Sequence, residues 1–432
     1  MSQKKIFILG AGLAGLSAAW HLQRSGSDCH VIEKESEVGG LCRSKKVNGF
    51  TFDYDGHLLH FKKRYTSNLV KSLIDSKLVK HQRSAWVYIY DRFIRYPFQG
   101  NLHNLPAPII KDCLVGLLDT AKDGNLHKKD PTFLDWINHS FGKGIARHFM
   151  IPYNTKFWTL PPEKLNYDWV YGFVPVPSLR QIIDGSIEEN RKMFGYNAQF
   201  LYPEKGGINQ VPRALAGQTR NIHTDCEVTG IDTVRKKIRF ASGEEEKFDY
   251  LISAIPLPQI SRLIKNLPDK VKSAFSKLKW NSIFNLNLGV EGKVLPGVHW
   301  VYFPEKEFCY FRVGFPHNFS SDLVPAGNSS LYIEVSYSEN KRIDKTNIIR
   351  HIKEDLKKAN ILNPKCKIHA QDSNDIKYGY PIYDRNYRDS RQEIIRFLSA
   401  YDILPCGRFG SWRYMSMEDC ILDGKDVIKQ IK

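Results

Sequence analysis

Six residues near the amino end, Gly10-Ala11-Gly12-Leu13-Ala14-Gly15, have the types and spacing to hold a diphosphate. In a GxGxxG turn the first glycine permits the tight bend and the second lets backbone approach the phosphates. The third lets helix and strand pack closely. The phosphates then meet free N–H groups at the positive end of a helix. Glu33 follows Gly10 by 23 positions, where a carboxylate accepts bonds from a ribose 2′-OH and disfavours a 2′-phosphate. The loop is not built for NADP. Beyond Lys34, the run Gly39-Gly40-Leu41-Cys42-Arg43-Ser44 adds a glycine doublet, a basic residue and a hydroxyl. A glycine turn capping an ordinary helix accounts for the first six residues but not for the whole array.

Such a loop needs a strand before it and a helix after it. Residues 4–10 read as a buried strand, 13–24 as a helix opening in the turn, and 28–33 as a second strand, which is a βαβ unit. Between about 105 and 200 the pattern turns helical, with long stretches at 109–122 and 132–150. RSAWVYIYDRFIRYPFQ, IFNLNLGVEG, HWVYFPE, CYFRVGF and SLYIEVSYS are rich in aromatic and β-branched residues and read as strands of an antiparallel sheet. Residues 204–256 read as a glycine turn and helix, a strand, a hairpin and an apolar strand ending at Pro256.

The fold class expected is α/β: a Rossmann-like FAD-binding domain with an interleaved helical domain and an antiparallel β-sheet domain. Residues 1–75, 204–262 and 395–432 are assigned to the first, 100–203 to the second, and 76–99 with 263–394 to the third. No Pro/Gly/Ser-rich linker separates them.

At 432 residues the chain is too long for one simple core. Eight cysteines show no CxxC spacing, which speaks against a zinc site or a disulfide framework and predicts no metal. Reduced thiols suit a cytoplasmic protein. The apolar opening is read as the cofactor strand rather than a signal peptide, and no apolar run reaches the ~18 residues of a membrane span. The net charge of +17 is scattered, without a nucleic-acid-binding motif. No nucleic-acid partner is expected; an anionic substrate or peripheral contact with a membrane face fits the charge better.

The glycine doublet after Glu33 resembles the FAD motif of the large amine oxidase and glutathione reductase-type families. Gly407-Arg408-Phe409-Gly410 resembles their late motif, which contacts the diphosphate and aims a helix at the flavin. Val228 falls where a strand residue meets adenine. FAD is therefore the cofactor implied.

FDYDGH, HQRSAWVY, RYPFQGNL, FMIPYNTKFWTLP, HWVYFPE, YFRVGFPHNFS, YGYP and GRFGSWRY resemble, nearly end to end, the UDP-galactopyranose mutases, especially their eukaryotic-type branch. That resemblance implies pyranose/furanose ring contraction of a UDP-sugar such as UDP-galactose, by attack of reduced flavin N5 on the anomeric carbon. It implies a place in cell-surface polysaccharide biosynthesis, NADPH or NADH as candidate outside reductants, and is compatible with a homodimer. Tyr96, Phe98, Gln99 and Phe149 would form the uracil pocket, and Asn154 and Trp158 would line the ribose and sugar. Tyr302, Tyr380 and Tyr414 would bond the diphosphate with Arg312 as its cation. His57 would sit beside the flavin and Arg83 near its N5 edge.

Two departures stand out. Phe173, in the segment 169–175, takes the place of a second diphosphate-binding arginine, with Arg180 as the nearest substitute. Asp55 stands where the family commonly has glycine. An FAD-dependent oxidoreductase of amine oxidase or protoporphyrinogen oxidase type is the alternative, and a non-catalytic flavin-bound binding protein a third reading.

Overall fold

The computed structural model describes residues 4–122, 130–170, 173–190, 195 and 198–431. Five short strands form one parallel sheet in the spatial order Ile403–Pro405, Tyr250–Ser253, Ile6–Leu9, His30–Ile32 and Ile222–His223. The central strand, IFIL, is buried along its whole length. Such a run fits a strand covered on both faces.

The first helix, Leu13–Arg24, begins directly in the glycine turn and buries most of its length. A Cβ on Gly15 would lie 2.0 Å from the Gly10 carbonyl oxygen, so only glycine allows this close packing of helix on strand. The C-terminal helix Met417–Val427 lies alongside, tied to the first by a 2.7 Å bond from the Ser17 hydroxyl to the Ile421 carbonyl. A three-stranded antiparallel sheet, Val228–Asp232, Lys237–Phe240 and Glu245–Lys247, projects beside this unit.

The second large sheet has seven strands: Ile368–Pro381, Trp280–Glu291, Asn328–Tyr337, Arg312–Gly314, Trp300–Tyr302, Ala85–Ile89 and Arg92–Arg95. Its pairings are antiparallel except one. Trp300–Tyr302 runs parallel to Ala85–Ile89, a correction to the uniformly antiparallel sheet expected. The reason is non-local, since those strands lie some two hundred residues apart in the chain and no hairpin dictates their direction. The edge strand Ile368–Pro381, 14 residues long, lies in the region assigned to the sheet domain but is not among the strands read from the sequence.

Alternation divides the faces of this sheet. In Trp280–Glu291, Phe284, Leu286, Leu288 and Val290 join an apolar core with Ile348, Ile352 and Leu356 of the helix Ile348–Lys358. The opposite face carries Asn281, Asn285 and Asn287, all buried, whose amides donate to the Phe157 carbonyl, the Asp55 carboxylate and the Asp53 carbonyl.

The helical region holds Ala107–Lys122 and Phe133–Ile145. The single helix expected over 132–150 is broken at Gly142 (φ 72°), then continues through a wide turn at Ala146–Met150 into Ile151–Trp158. Among the described residues no helix is long and apolar enough to cross a membrane.

Candidate active site

A cleft of about 900 Å³ runs from the glycine turn to the polar face of the seven-stranded sheet. At one end stand Gly10, Gly12, Leu13, Ala14, Glu33, Lys34, Gly39, Gly40, Leu41, Arg43 and Val228; Gly407 and Arg408 close it from the C-terminal side. The structure thus brings together nearly all residues assigned to the cofactor. Gly15 and Ser44 stand apart from the lining. Gly15 packs under the turn, and the Ser44 hydroxyl donates to Asp53 at 2.6 Å. Ser44 therefore holds the strand pair behind the cleft, because Asp53 is the stronger acceptor within reach.

Several observations show that this end fits a dinucleotide. The first helix has no side-chain cap and no acid in its first turn, so its amino end presents uncapped backbone to an anion. A Cβ on Gly40 would come within 3.2 Å of the Gly12 Cα, so the two backbones approach with no side chain between them and the groove. Glu33, 8% exposed, accepts bonds from the Ala11 N–H at 2.8 Å and the Glu35 N–H at 3.0 Å. Those amides aim the carboxylate while leaving it lone pairs for a ribose hydroxyl. The buried Arg408 Nε has no partner, although its other nitrogens donate to the carbonyls of Met415 and Gly379.

At the far end the strand register lays polar side chains side by side. Asn374 pairs with Asn285, Asn285 with Glu334, Glu334 with Arg312, and Arg312 with Tyr302. This row crosses five strands on one face. Arg312 grips Glu334 through both Nε and Nη2, the latter at 2.7 Å, and Glu334 is fully buried. Breaking such a pair by removing one partner costs roughly 3–5 kcal/mol. Asp55 sits on the row, its carboxylate accepting from Asn285 Nδ2 at 3.2 Å and the Gly56 N–H at 2.8 Å. Burial pushes the Glu334 carboxyl up to about 8, against the opposing pull of Arg312 and with Asp55 adding to the push.

Tyrosines surround Arg312. The rings of Tyr96 and Tyr302 lie 5.0 Å apart, Tyr302 and Tyr153 5.3 Å, and Tyr380 and Tyr414 5.7 Å. Arg408 lies over Tyr380 and Tyr414, at 4.4 and 5.0 Å from their ring centres. Burial raises the hydroxyls of Tyr96, Tyr153, Tyr380 and Tyr414, so they stay protonated and can donate to an anion.

His57, Arg312, Tyr380 and Tyr414 line the cleft directly. The His57 ring bonds the Asp55 carbonyl through Nδ1 at 3.0 Å. Arg83 is buried with its guanidinium 4.8 Å from the Tyr96 ring centre. Phe98 stacks on Phe149 at 4.9 Å, and Gln99 donates to the Pro175 carbonyl while its buried Oε1 lacks a partner. These residues form an interior group beside the cleft rather than its wall.

Asn154 and Trp158 are placed differently from the expected sugar lining. The Asn154 amide donates to the Met150 carbonyl one helical turn back, and Trp158 is 1% exposed among Phe157, Trp169 and Tyr380. The wide turn at Ala146–Met150 rotates these side chains into the core. Phe173 stands against Tyr414 at 4.6 Å, and the Lys62 ammonium lies 5.9 Å from the Phe173 ring. Arg180 is exposed and outside the cleft, and Lys62, although close to the Phe173 ring, is likewise exposed and not part of the cleft wall. Tyr171 and Gly172 lie outside the described residues.

Sequence reasoning missed Glu334, Asn285 and Asn374. Their signal is a polar residue recurring at even spacing inside an apolar strand, as in SIFNLNLG and LYIEVS. Among the described residues, no three His, Cys, Asp or Glu side chains gather as a metal site.

The sheet, the glycine turn and the uncapped helix define a protein that holds a dinucleotide cofactor across its parallel strands. The chain belongs to the flavin-containing amine oxidoreductase family, whose model matches residues 13–380. The family implies FAD in the cleft.

A crystal structure of reduced UDP-galactopyranose mutase superposes with a TM-score of 0.94 at 30% identity, covering 99% of this chain and 95% of that one. A putative protoporphyrinogen oxidase from Exiguobacterium sp. 255-15 shares the fold at a TM-score of 0.76, with 18% identity over 100% and 99% of the two chains. Among curated proteins, 4,4′-diaponeurosporene oxygenase of Staphylococcus aureus is 25% identical over 295 residues, 58% of this chain. The match spans 55% of that relative's length.

Proposed function

We propose that this protein interconverts the pyranose and furanose forms of a UDP-sugar such as UDP-galactose. The observation that carries the reading is the convergence of Arg312, Tyr380 and Tyr414 at the far end of a flavin cleft, with Tyr302 beside Arg312 on the neighbouring strand. The likeness to a reduced UDP-galactopyranose mutase over nearly the full length of both chains supports it.

Reduced FAD, when bound, supplies the nucleophile that displaces the nucleotide from the anomeric carbon. The protein's own work is to hold the leaving diphosphate and exclude water. Tyrosine hydroxyls kept neutral by burial donate to phosphate oxygens, and Arg312 supplies the cation. Phe98, Gln99 and Phe149, the interior group beside the cleft, would meet a pyrimidine only if the cleft opened onto them, and the unpartnered Gln99 oxygen would then accept from its N–H. His57 and Arg83 border the region next to the flavin in this reading. Lys62, exposed beside the Phe173 ring, would have to swing into the cleft to take the second cation's role. NADPH or NADH would deliver the electrons.

Turnover of UDP-galactopyranose is expected after dithionite reduction and not in the oxidised protein. Failure of the reduced protein on several UDP-sugars would reject the reading. The family match favours one second reading, an FAD-dependent oxidoreductase. Substrate-driven bleaching of the flavin with peroxide formed in air would establish it instead.

A further inference from the structure

We propose that Asp55 and Glu334 hold one proton between them, and that this proton keeps the Arg312 site from repelling an anionic ligand. The proton assignment stands on the side-chain row alone; the identity of the anion rests on the UDP-sugar reading above.

Three strands fix the geometry. Asn285, Glu334 and Arg312 are direct cross-strand neighbours on one face, and Asn285 reaches up to the Asp55 carboxylate. Glu334 therefore has the Arg312 guanidinium on one side and the half-buried Asp55 carboxyl, part of the cleft wall, on the other. If both were ionised, the cluster would carry a net negative charge at a position where Glu334 has no contact with water. A buried excess charge of that kind is expensive, and the cheaper outcome is proton uptake.

A second observation points the same way. Asn285 Oδ1 is buried and has no donor, while its Nδ2 is committed to Asp55. A carboxylate offers that oxygen nothing. A carboxylic acid has an O–H to give. The raised position of Glu334 agrees with a retained proton near neutrality.

The titratable and charged groups facing the pair are Arg312, Tyr302, Tyr332, Tyr153 and Tyr380, with His57 following Asp55 in the chain. Burial raises the hydroxyls of Tyr153, Tyr332 and Tyr380, so none of these three supplies a compensating charge. With glycine in place of Asp55, Arg312 and Glu334 would cancel without a proton. Asp55 thus makes anion binding depend on protonation in this chain.

The test uses flavin-loaded protein and two readouts. The first is the infrared carbonyl band of a protonated carboxyl, followed with pH and without ligand. A band is expected in the wild type at pH 7 and lost at higher pH. It should be missing at pH 7 from both Asp55→Asn and Glu334→Gln, because either change leaves one acid balanced by Arg312. The second readout is UDP affinity. Wild-type affinity should fall about tenfold per pH unit above the band's midpoint, whereas both variants should bind UDP with little dependence on pH.

Absence of the band from wild type at pH 7, or its retention in Asp55→Asn, overturns the proposal. So does an unchanged pH slope in that variant. If UDP binds none of the three proteins, the UDP-sugar reading falls and the band alone decides the shared proton.

Discussion

Lys156 offers a demanding test of how the site is positioned. It is 8% exposed on the helix Ile151–Trp158, and its ammonium donates to the carbonyls of Phe303 (2.8 Å), Glu305, Phe308 (2.9 Å) and Tyr310 (3.2 Å). Those carbonyls belong to the loop joining the strand of Tyr302 to the strand of Arg312. Burial pulls the Lys156 ammonium down to about 7, the sign of a costly desolvation that the four carbonyls offset.

Lys156→Met keeps the stem's packing and removes the donors. Each carbonyl left without a partner costs ~1–3 kcal/mol, while not burying an ammonium returns several kcal/mol. Four unpartnered carbonyls outweigh that return, so the expected net loss is roughly a few kcal/mol. Urea denaturation of the flavin-loaded protein would measure the loss. Hydrogen exchange would locate it, with faster exchange in residues 303–311 and weaker UDP binding as Tyr302 and Arg312 lose register. Wild-type stability together with unchanged exchange in that loop would refute the reasoning.

Other expectations follow from single contacts. His299 is held down to about 4 by burial and by His81 beside it, against an ordinary value of 6.5. The unfolded chain binds a proton there between pH 6.5 and 4 and the folded one does not, so stability falls as pH drops through that window, by up to ~3 kcal/mol. His299→Asn, which can still accept from the Ser84 N–H, should show a smaller difference in urea midpoint between pH 7 and 4.5. Glu33→Ala removes the carboxylate that two backbone amides aim into the cleft, and should weaken FAD retention by roughly tenfold or more, read by flavin fluorescence on dilution. Phe173→Arg should tighten UDP binding about tenfold by adding a bidentate cation beside Tyr414, measured by calorimetry; no gain would mean that position 173 does not face the diphosphate.

The cofactor end was readable because its requirements are local. Gly12, Gly15 and Glu33 lie within one βαβ unit, and the helix predicted over 13–24 is the helix found. The strand Ile368–Pro381 was not readable, since half its residues are polar and it lies at a sheet edge. Glu334 and Asn285 acquire meaning only through register, which pairs them across strands far apart in sequence. Lys156 acquires its partners only from a loop some 150 residues later in the chain. Trp158 was read by motif as a lining residue, yet a wide helical turn just before its helix, invisible to periodicity, sends it into the core.

The order of strands in the parallel sheet has a consequence for biosynthesis. One edge strand, Ile403–Pro405, and the helix Met417–Val427 that buttresses the first helix lie roughly four hundred residues after the glycine turn in chain order. During synthesis the glycine turn precedes these segments and must wait with an unbuttressed helix until they have emerged. A nascent chain that stalls before then exposes an apolar helix face and a half-built sheet, which are surfaces that chaperones recognise.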